Sequence, residues 1–175
     1  MAGHSKWAKL KHTKGKTDVQ KSKLFGKLVR FISVEAKKAK GDRTAAAVRT
    51  AVEKARAANV PADTIERALD KAAGGEELEK VMYEAYGPGG TALVIEGYTD
   101  NRNRTVQELK HLLSLHGGAL ATPGAAMWAF TKNAEGGYEA IVPIELSDQD
   151  AQKMAELSDA LEDQDDVNEV YSSAA

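Results

Sequence analysis

The chain has 175 residues, 42% of them hydrophobic and 29% charged, with no cysteine and a formal net charge of −2. This is the composition of an ordinary globular protein of one medium or two small domains, and it excludes disulfides, thiolate metal sites and a fibrous or disordered chain. No apolar run approaches the roughly 18 to 20 residues that cross a bilayer, and the basic start lacks a secretory apolar stretch, so a cytoplasmic address without a membrane partner is expected.

Charge is unevenly divided. Twelve of the 24 lysines and arginines fall in the first 40 residues, opposed only by Asp18 and Glu35. Up to Lys71 there are 18 basic and 7 acidic groups, a net of +11; the remaining 104 residues hold 6 and 19, a net of −13. An acidic polymer is therefore expected to bind the leading half only, and nucleic acid is the commonest one.

Residues 1–17, MAGHSKWAKLKHTKGKT, show neither a helical nor a strand period. Their like charges repel, which predicts a flexible basic arm. Thr17 or Asp18 can cap a helix running to about residue 40, ended by Gly41. On a helical wheel Leu24, Phe25, Leu28, Phe31, Ile32 and Ala36 share one face, and Lys23, Lys27, Arg30 and Lys37 the opposite one. A second helix is expected over 44–58. After a turn at Asn59-Val60-Pro61, a third opens at Ala62 or Asp63 and stops at Gly74-Gly75. Three such stripes predict a basic three-helix bundle, a domain over 18–75.

From residue 76 the period changes to that of strands. A strand is expected over 81–86, a turn with positive φ at Gly87-Pro88-Gly89-Gly90, and a covered strand over 91–98. A helix over 104–116 turns Val106, Leu109, Leu112 and Leu113 inward and ends at Gly117-Gly118. Segments 125–131 and 138–145 predict a hairpin across 133–137. Ser147 caps a helix to about residue 163, and a last strand covers 167–171. From residue 91 the order is βαββαβ, so the acidic domain over 76–175 is expected to be a ferredoxin-like antiparallel sandwich with an extra leading strand. The fold class is α+β.

Candidate functional residues concentrate at the start. Lys6, Lys9, Lys11, Lys14 and Lys16 recur every two to three residues, a spacing that lets an extended chain follow phosphates. Trp7 and His12 lie among them and can stack on bases or sugars. The bland alternative is a solubilising tail. The stripe Lys23, Lys27, Arg30 and Lys37 continues the charge onto a helix with no glutamate at the neutralising i+4 positions. Its alternative is a plain solvated face. Lysines lack the planar fork of arginine, which points to shape or backbone recognition over sequence readout.

A second candidate is Thr99-Asp100-Asn101-Arg102-Asn103-Arg104-Thr105. Asn103 or Asp100 is expected to cap the helix, and Arg102 and Arg104 stand at its N-terminus, where free N–H groups favour anions. A salt-bridge role competes evenly with a phosphate contact. No catalytic residue, cofactor or metal site is expected. The four histidines lack zinc spacing, no phosphate loop or nucleophile elbow occurs, and Glu162, Asp163, Asp165 and Asp166 form an acidic run, not a metal cluster.

Five segments in order, MAGHSKWAKLKHTKGKTDVQKSKLFGKLVR, AANVPADTIERAL, YGPGGTALV, TDNRNRTVQELKHLLSLHGG and LEDQDDVNEVY, resemble the YebC/PmpR family over nearly the whole chain. Family members are named probable transcriptional regulators; others act at the ribosome as translation factors, and a mitochondrial relative is a translational activator. The resemblance implies a cytoplasmic, non-enzymatic regulator of gene expression that binds DNA through its basic N-terminal region, or a ribosome-associated RNA-binding translation factor. The usual member has a third domain inserted in the α+β module. Here AFTKN passes through Ala134-Glu135-Gly136-Gly137 to EAIVPIELSDQDAQ, so that domain is expected to be absent. The acidic module could present a face to a protein partner. A further alternative is a small-ligand-sensing or dimerising module, since the βαββαβ order is similar to sandwiches of the ACT type. The sequence sets no oligomeric state.

Overall fold

The computed structural model describes residues 18–71 and 78–175. They divide into two compact units, one holding the described residues up to Glu79 and the other running over Lys80–Ala175.

The first unit is built from α1 (Asp18–Lys38), α2 (Ala46–Ala57) and α3 (Ala62–Lys71). Ile32 of α1, Ala51 and Ala55 of α2, and Ile65 and Ala68 of α3 share a core with Val60, flanked by Phe25, Leu28 and Phe31. Ala36 and Val48 make a smaller contact beside it. The apolar side of α1 is thus the one that its 3.6-residue period marks. Lys40 and Gly41 end α1 in the left-handed region, at φ 53° and 83°. The Gly41 N–H donates back to Ala36 O at 2.9 Å, which satisfies a carbonyl that the helix end would orphan. Helix α2 starts two residues later than expected because Asp42 takes both the N–H and the hydroxyl of Thr44 in a local turn. The expected stop of the third helix at Gly74-Gly75 lies outside the described residues.

The second unit runs β1 (Glu79–Tyr86), a 3₁₀ turn (Pro88–Gly90), β2 (Ala92–Thr99), α4 (Arg102–Leu115), β3 (Ala119–Ala121), a 3₁₀ turn (Met127–Ala129), β4 (Phe130–Lys132), β5 (Tyr138–Ala140), α5 (Asp148–Asp163) and β6 (Val167–Ser172). The main sheet has the order β3-β1-β2-β6. Antiparallel ladders join β1 to β3, with Ala85 opposite Leu120, and β2 to β6, with Ile95 opposite Val170. Strand β2 is buried on both faces, as its continuous apolar run requires. Leu93 and Ile95 pack under Leu109, Leu113, Met154, Leu157 and Leu161 of α4 and α5. Ala92 and Val94 face the other way, against Ala126, Ala129 and Phe130.

The strand order corrects the ferredoxin-like expectation. That arrangement would seat the 125–131 and 138–145 strands in the main sheet, but the hairpin forms a separate two-stranded sheet, with Phe130 opposite Ala140. The short Gly87–Gly90 connection makes the leading strand β1 the immediate neighbour of β2, and β3 fills its outer edge. Phe130, Tyr138 and Ala140 then cover the face of the sheet that the helices leave bare. The turn itself is as expected, with Gly89 and Gly90 at φ 67° and 77°. Ser147 also caps α5 as expected, accepting the Asp150 N–H at 3.1 Å.

Candidate nucleic-acid interface

The basic stripe stands on α1. Lys37 is exposed, whereas Lys23, Lys27 and Arg30 are half-buried and each takes part in an interaction within the chain. Long cationic side chains commonly lay their methylene stems along apolar surface while the charged head stays in water, so partial burial does not remove the charge. Three of the four stripe cations are therefore partly covered by the fold. Lys6, Trp7, Lys9, Lys11, His12, Lys14 and Lys16 of the arm lie outside the described residues.

Several other cations of this unit are committed to carboxylates. Arg43 bridges the α1–α2 turn to α3, with Nη1 2.8 Å from Glu66 and Nη2 2.6 Å from Asp70. Arg67 pairs with Asp63 one turn away, and that guanidinium holds the Asp63 carboxyl below its usual range. Lys38 pairs with Glu35 at 3.0 Å. Lys54 sits over the ring of Phe31, 5.6 Å from its centroid, a cation–π contact between α2 and α1. Lys37, Lys40, Arg49 and Arg56 are exposed, and no ion pair holds them among the described residues.

In the second unit the helix-start segment is a tight polar knot. Asn101 caps α4 by accepting the Arg104 N–H at 3.1 Å, which corrects the expected cap at Asn103 or Asp100. Arg104 lies 2.7 Å from Asp100 and 3.0 Å from Asp166. These two carboxylates, Asp166 foremost, hold its guanidinium well above its ordinary pKa. Asp166 is only 3% exposed. Burial pushes its carboxyl up, but donors from Arg104, Thr105 at 2.8 Å and Thr99 at 3.1 Å outweigh that and leave it below the ordinary value. Arg104 is thus engaged in holding β2, α4 and β6 together. Arg102 is exposed and also takes part in an interaction within the chain.

One residue that no sequence motif marked is Glu84, 6% exposed on β1. Its carboxylate accepts backbone N–H groups from Gly124 at 2.6 Å, Ala126 at 2.7 Å and Met127 at 2.8 Å. Burial again raises its pKa, and the three donors again win, so it stays below the usual range. The only signal in the sequence is a glutamate set in an otherwise strand-like EKVMYEAY, which reads equally well as a surface charge. Among the described residues no helix is long and apolar enough to cross a membrane.

Comparison with known proteins matches both units. The model of the TACO1/YebC protein N-terminal domain matches residues 5–75, and that of the TACO1/YebC second and third domain matches residues 78–136. A probable transcriptional regulatory protein of Petrotoga mobilis is 46% identical over 95% of this chain and 66% of its own length, so the chain spans about two thirds of that relative. A protein of the same name from Pseudothermotoga lettingae is 37% identical over 98% of this chain and 93% of its own length. That alignment stretches over 235 positions against 175 residues in this chain, and the match to the second model stops at the tip of the β4–β5 hairpin. The crystal structure of a conserved hypothetical protein, Aq1575 from Aquifex aeolicus, superposes with a TM-score of 0.83 at 30% identity, covering 98% of this chain and 97% of that one.

Proposed function

The chain belongs to the TACO1/YebC family, and on that premise we propose that it is a non-enzymatic, cytoplasmic regulator of gene expression that binds nucleic acid through residues 1–17 and the α1 stripe. The names of its relatives describe regulation of transcription, and promoter DNA is the first target to test. The observation that carries the proposal is the division of charge, +11 up to Lys71 and −13 beyond it. Lys6, Lys9, Lys11, Lys14 and Lys16 displace counterions along a phosphate chain, Trp7 and His12 stack, and Lys23, Lys27, Arg30 and Lys37 extend the track. The acidic unit repels the polymer and is left to a protein partner.

The same contacts suit ribosomal RNA, and one observation favours it. Arg43, Arg67 and Arg104 are bound to carboxylates, so three of the chain's arginine forks are not free to read base edges. Lysines that follow phosphates recognise shape, which structured RNA supplies. Ultraviolet cross-linking in cells, followed by sequencing of the attached polymer, separates the two. Promoter fragments support the first target and ribosomal RNA the second, and recovery of neither overturns the proposal. Stabilisation by a millimolar amino acid or nucleotide in a thermal-shift screen would instead favour a ligand-sensing module.

A further inference from the structure

Two arginines of the first unit stand apart from the rest. Arg43, Arg67 and Arg104 are held by carboxylates, and Arg30 and Arg102 each take part in an interaction within the chain. Arg49 and Arg56 of α2 are exposed, and no ion pair engages either among the described residues. On one helix they share a side, about 10 Å apart along its axis. Val48, Ala51 and Ala55 turn to the core, and Lys54, over the Phe31 ring, marks the side of α2 that faces α1. At about 100° per residue, Arg49 and Arg56 stand roughly 140° and 160° round from Lys54, pointing away from α1 as well as from the core. Lys23, Lys27, Arg30 and Lys37 point away from the same core on α1. The bundle is about 20 Å across, two helix diameters, so one straight backbone cannot lie along both tracks. Glu53, the one acid of α2, is exposed on the arginine side and forms no ion pair there, so α2 keeps three cations against one acid.

We propose that Arg49 and Arg56 form a second phosphate site, so that the bundle sits between two backbone segments of one folded RNA. This rests on the reading that the first unit binds nucleic acid, and it adds the class of polymer. An arginine fork takes a phosphate through two parallel N–H donors, so the pair holds one phosphate each. Neither fork has to leave a carboxylate first, unlike Arg43 or Arg67. Two segments about 20 Å apart in one molecule are what a folded RNA supplies. A DNA duplex is straight over about 50 nm and presents only one.

Filter-binding titrations of the full chain against an oligouridine of about twelve bases, a straight DNA duplex and an RNA three-way junction test it. Replacing both arginines, Arg49→Ala with Arg56→Ala, should weaken junction binding at least about tenfold and lower its salt slope by about 1.4–1.8 units, at roughly 0.7–0.9 for each contact. Affinity for the two single-segment probes should stay within about twofold. Lys110→Ala with Lys153→Ala removes the same charge from exposed positions of the acidic unit and should change none of the three. Circular dichroism melts report whether each variant is folded; if the double arginine variant is not, Arg56→Ala alone decides, at about half the change in slope. Junction binding that ignores the arginines, or an equal loss on all three probes, overturns the second site and leaves nucleic-acid binding by the first unit standing. A wild type that binds no probe even in dilute buffer overturns both.

Discussion

The guanidinium of Arg104 lies 3.0 Å from the carboxylate of Asp166, a residue 62 positions later that is almost fully buried. The pair fastens the start of α4 to the start of β6. Thr99 and Thr105 also donate to the same carboxylate oxygen, at 3.1 and 2.8 Å. Removing the arginine takes away a charged donor from that buried carboxylate. Arg104→Ala should lower the urea midpoint at neutral pH clearly more than Arg43→Ala does, because it takes a charged donor from a buried carboxylate. Arg43→Ala, which breaks an exposed pair of similar geometry, should cost under about 1 kcal/mol. Equal losses would show that burial of Asp166 is irrelevant.

Glu84 gives a second prediction, with a sign in pH. Its carboxyl is held below its ordinary value in the folded state, so it adds stability above the unfolded pKa of about 4.3, and that contribution is lost as pH falls through the lower folded value. Glu84→Gln keeps one acceptor oxygen but turns an amide toward a backbone N–H, and should cost about 1–2 kcal/mol at pH 7. The gap between wild type and variant should close below about pH 4. Asp166 is present in both proteins, so its own titration cancels from the gap. A gap that is flat from pH 7 to pH 3 would mean the N–H cradle does not sense the charge.

Gly97 offers a steric test. It sits at the bulge where β2 and β6 slip register, and a Cβ there would lie 2.0 Å from Asp166 O. That atom is backbone and cannot rotate away. Gly97→Ala should cost about 3 kcal/mol or more, or fail to fold, because the ladder that carries Asp166 must move. A thermal midpoint within a few degrees of wild type would show that the bulge can relax.

Deleting residues 1–17 tests the binding proposal directly. The five lysines should account for about four units of the slope of log affinity against log salt, at roughly 0.7–0.9 per displaced counterion. The circular dichroism spectrum and melt should stay close to those of the full chain. An unchanged salt slope in filter-binding titrations would remove the arm from the mechanism.

The sequence carries local structure well and assembly poorly here, for a physical reason. Gly41, Pro61, the Gly87–Gly90 turn and Ser147 mark element ends because φ preferences and caps act within a few residues. Strand order depends on which edges meet, and the 3- to 8-residue strands of this sheet read alike until the helices choose a face. β3, Ala119-Leu120-Ala121, has no pattern long enough to register. Asp166 and Glu84 illustrate the same limit. In the chain one belongs to an acidic run and the other to an ordinary alternation, and only tertiary donors from distant segments make them internal. The α1 stripe was legible as a run of charge, but its partial burial was not, because that depends on how the lysine stems lie.

The hairpin between β4 and β5 has a wider consequence. Its turn is closed by Asn133, whose side chain accepts the N–H groups of Glu135 and Gly137 at 3.1 and 2.9 Å. Any longer segment spliced at this tip would leave and re-enter through two chain ends about 5 Å apart, the spacing of paired strands. A whole module can thus be gained or trimmed like a bead on a clasp, with the buried sheet beneath never asked to rearrange.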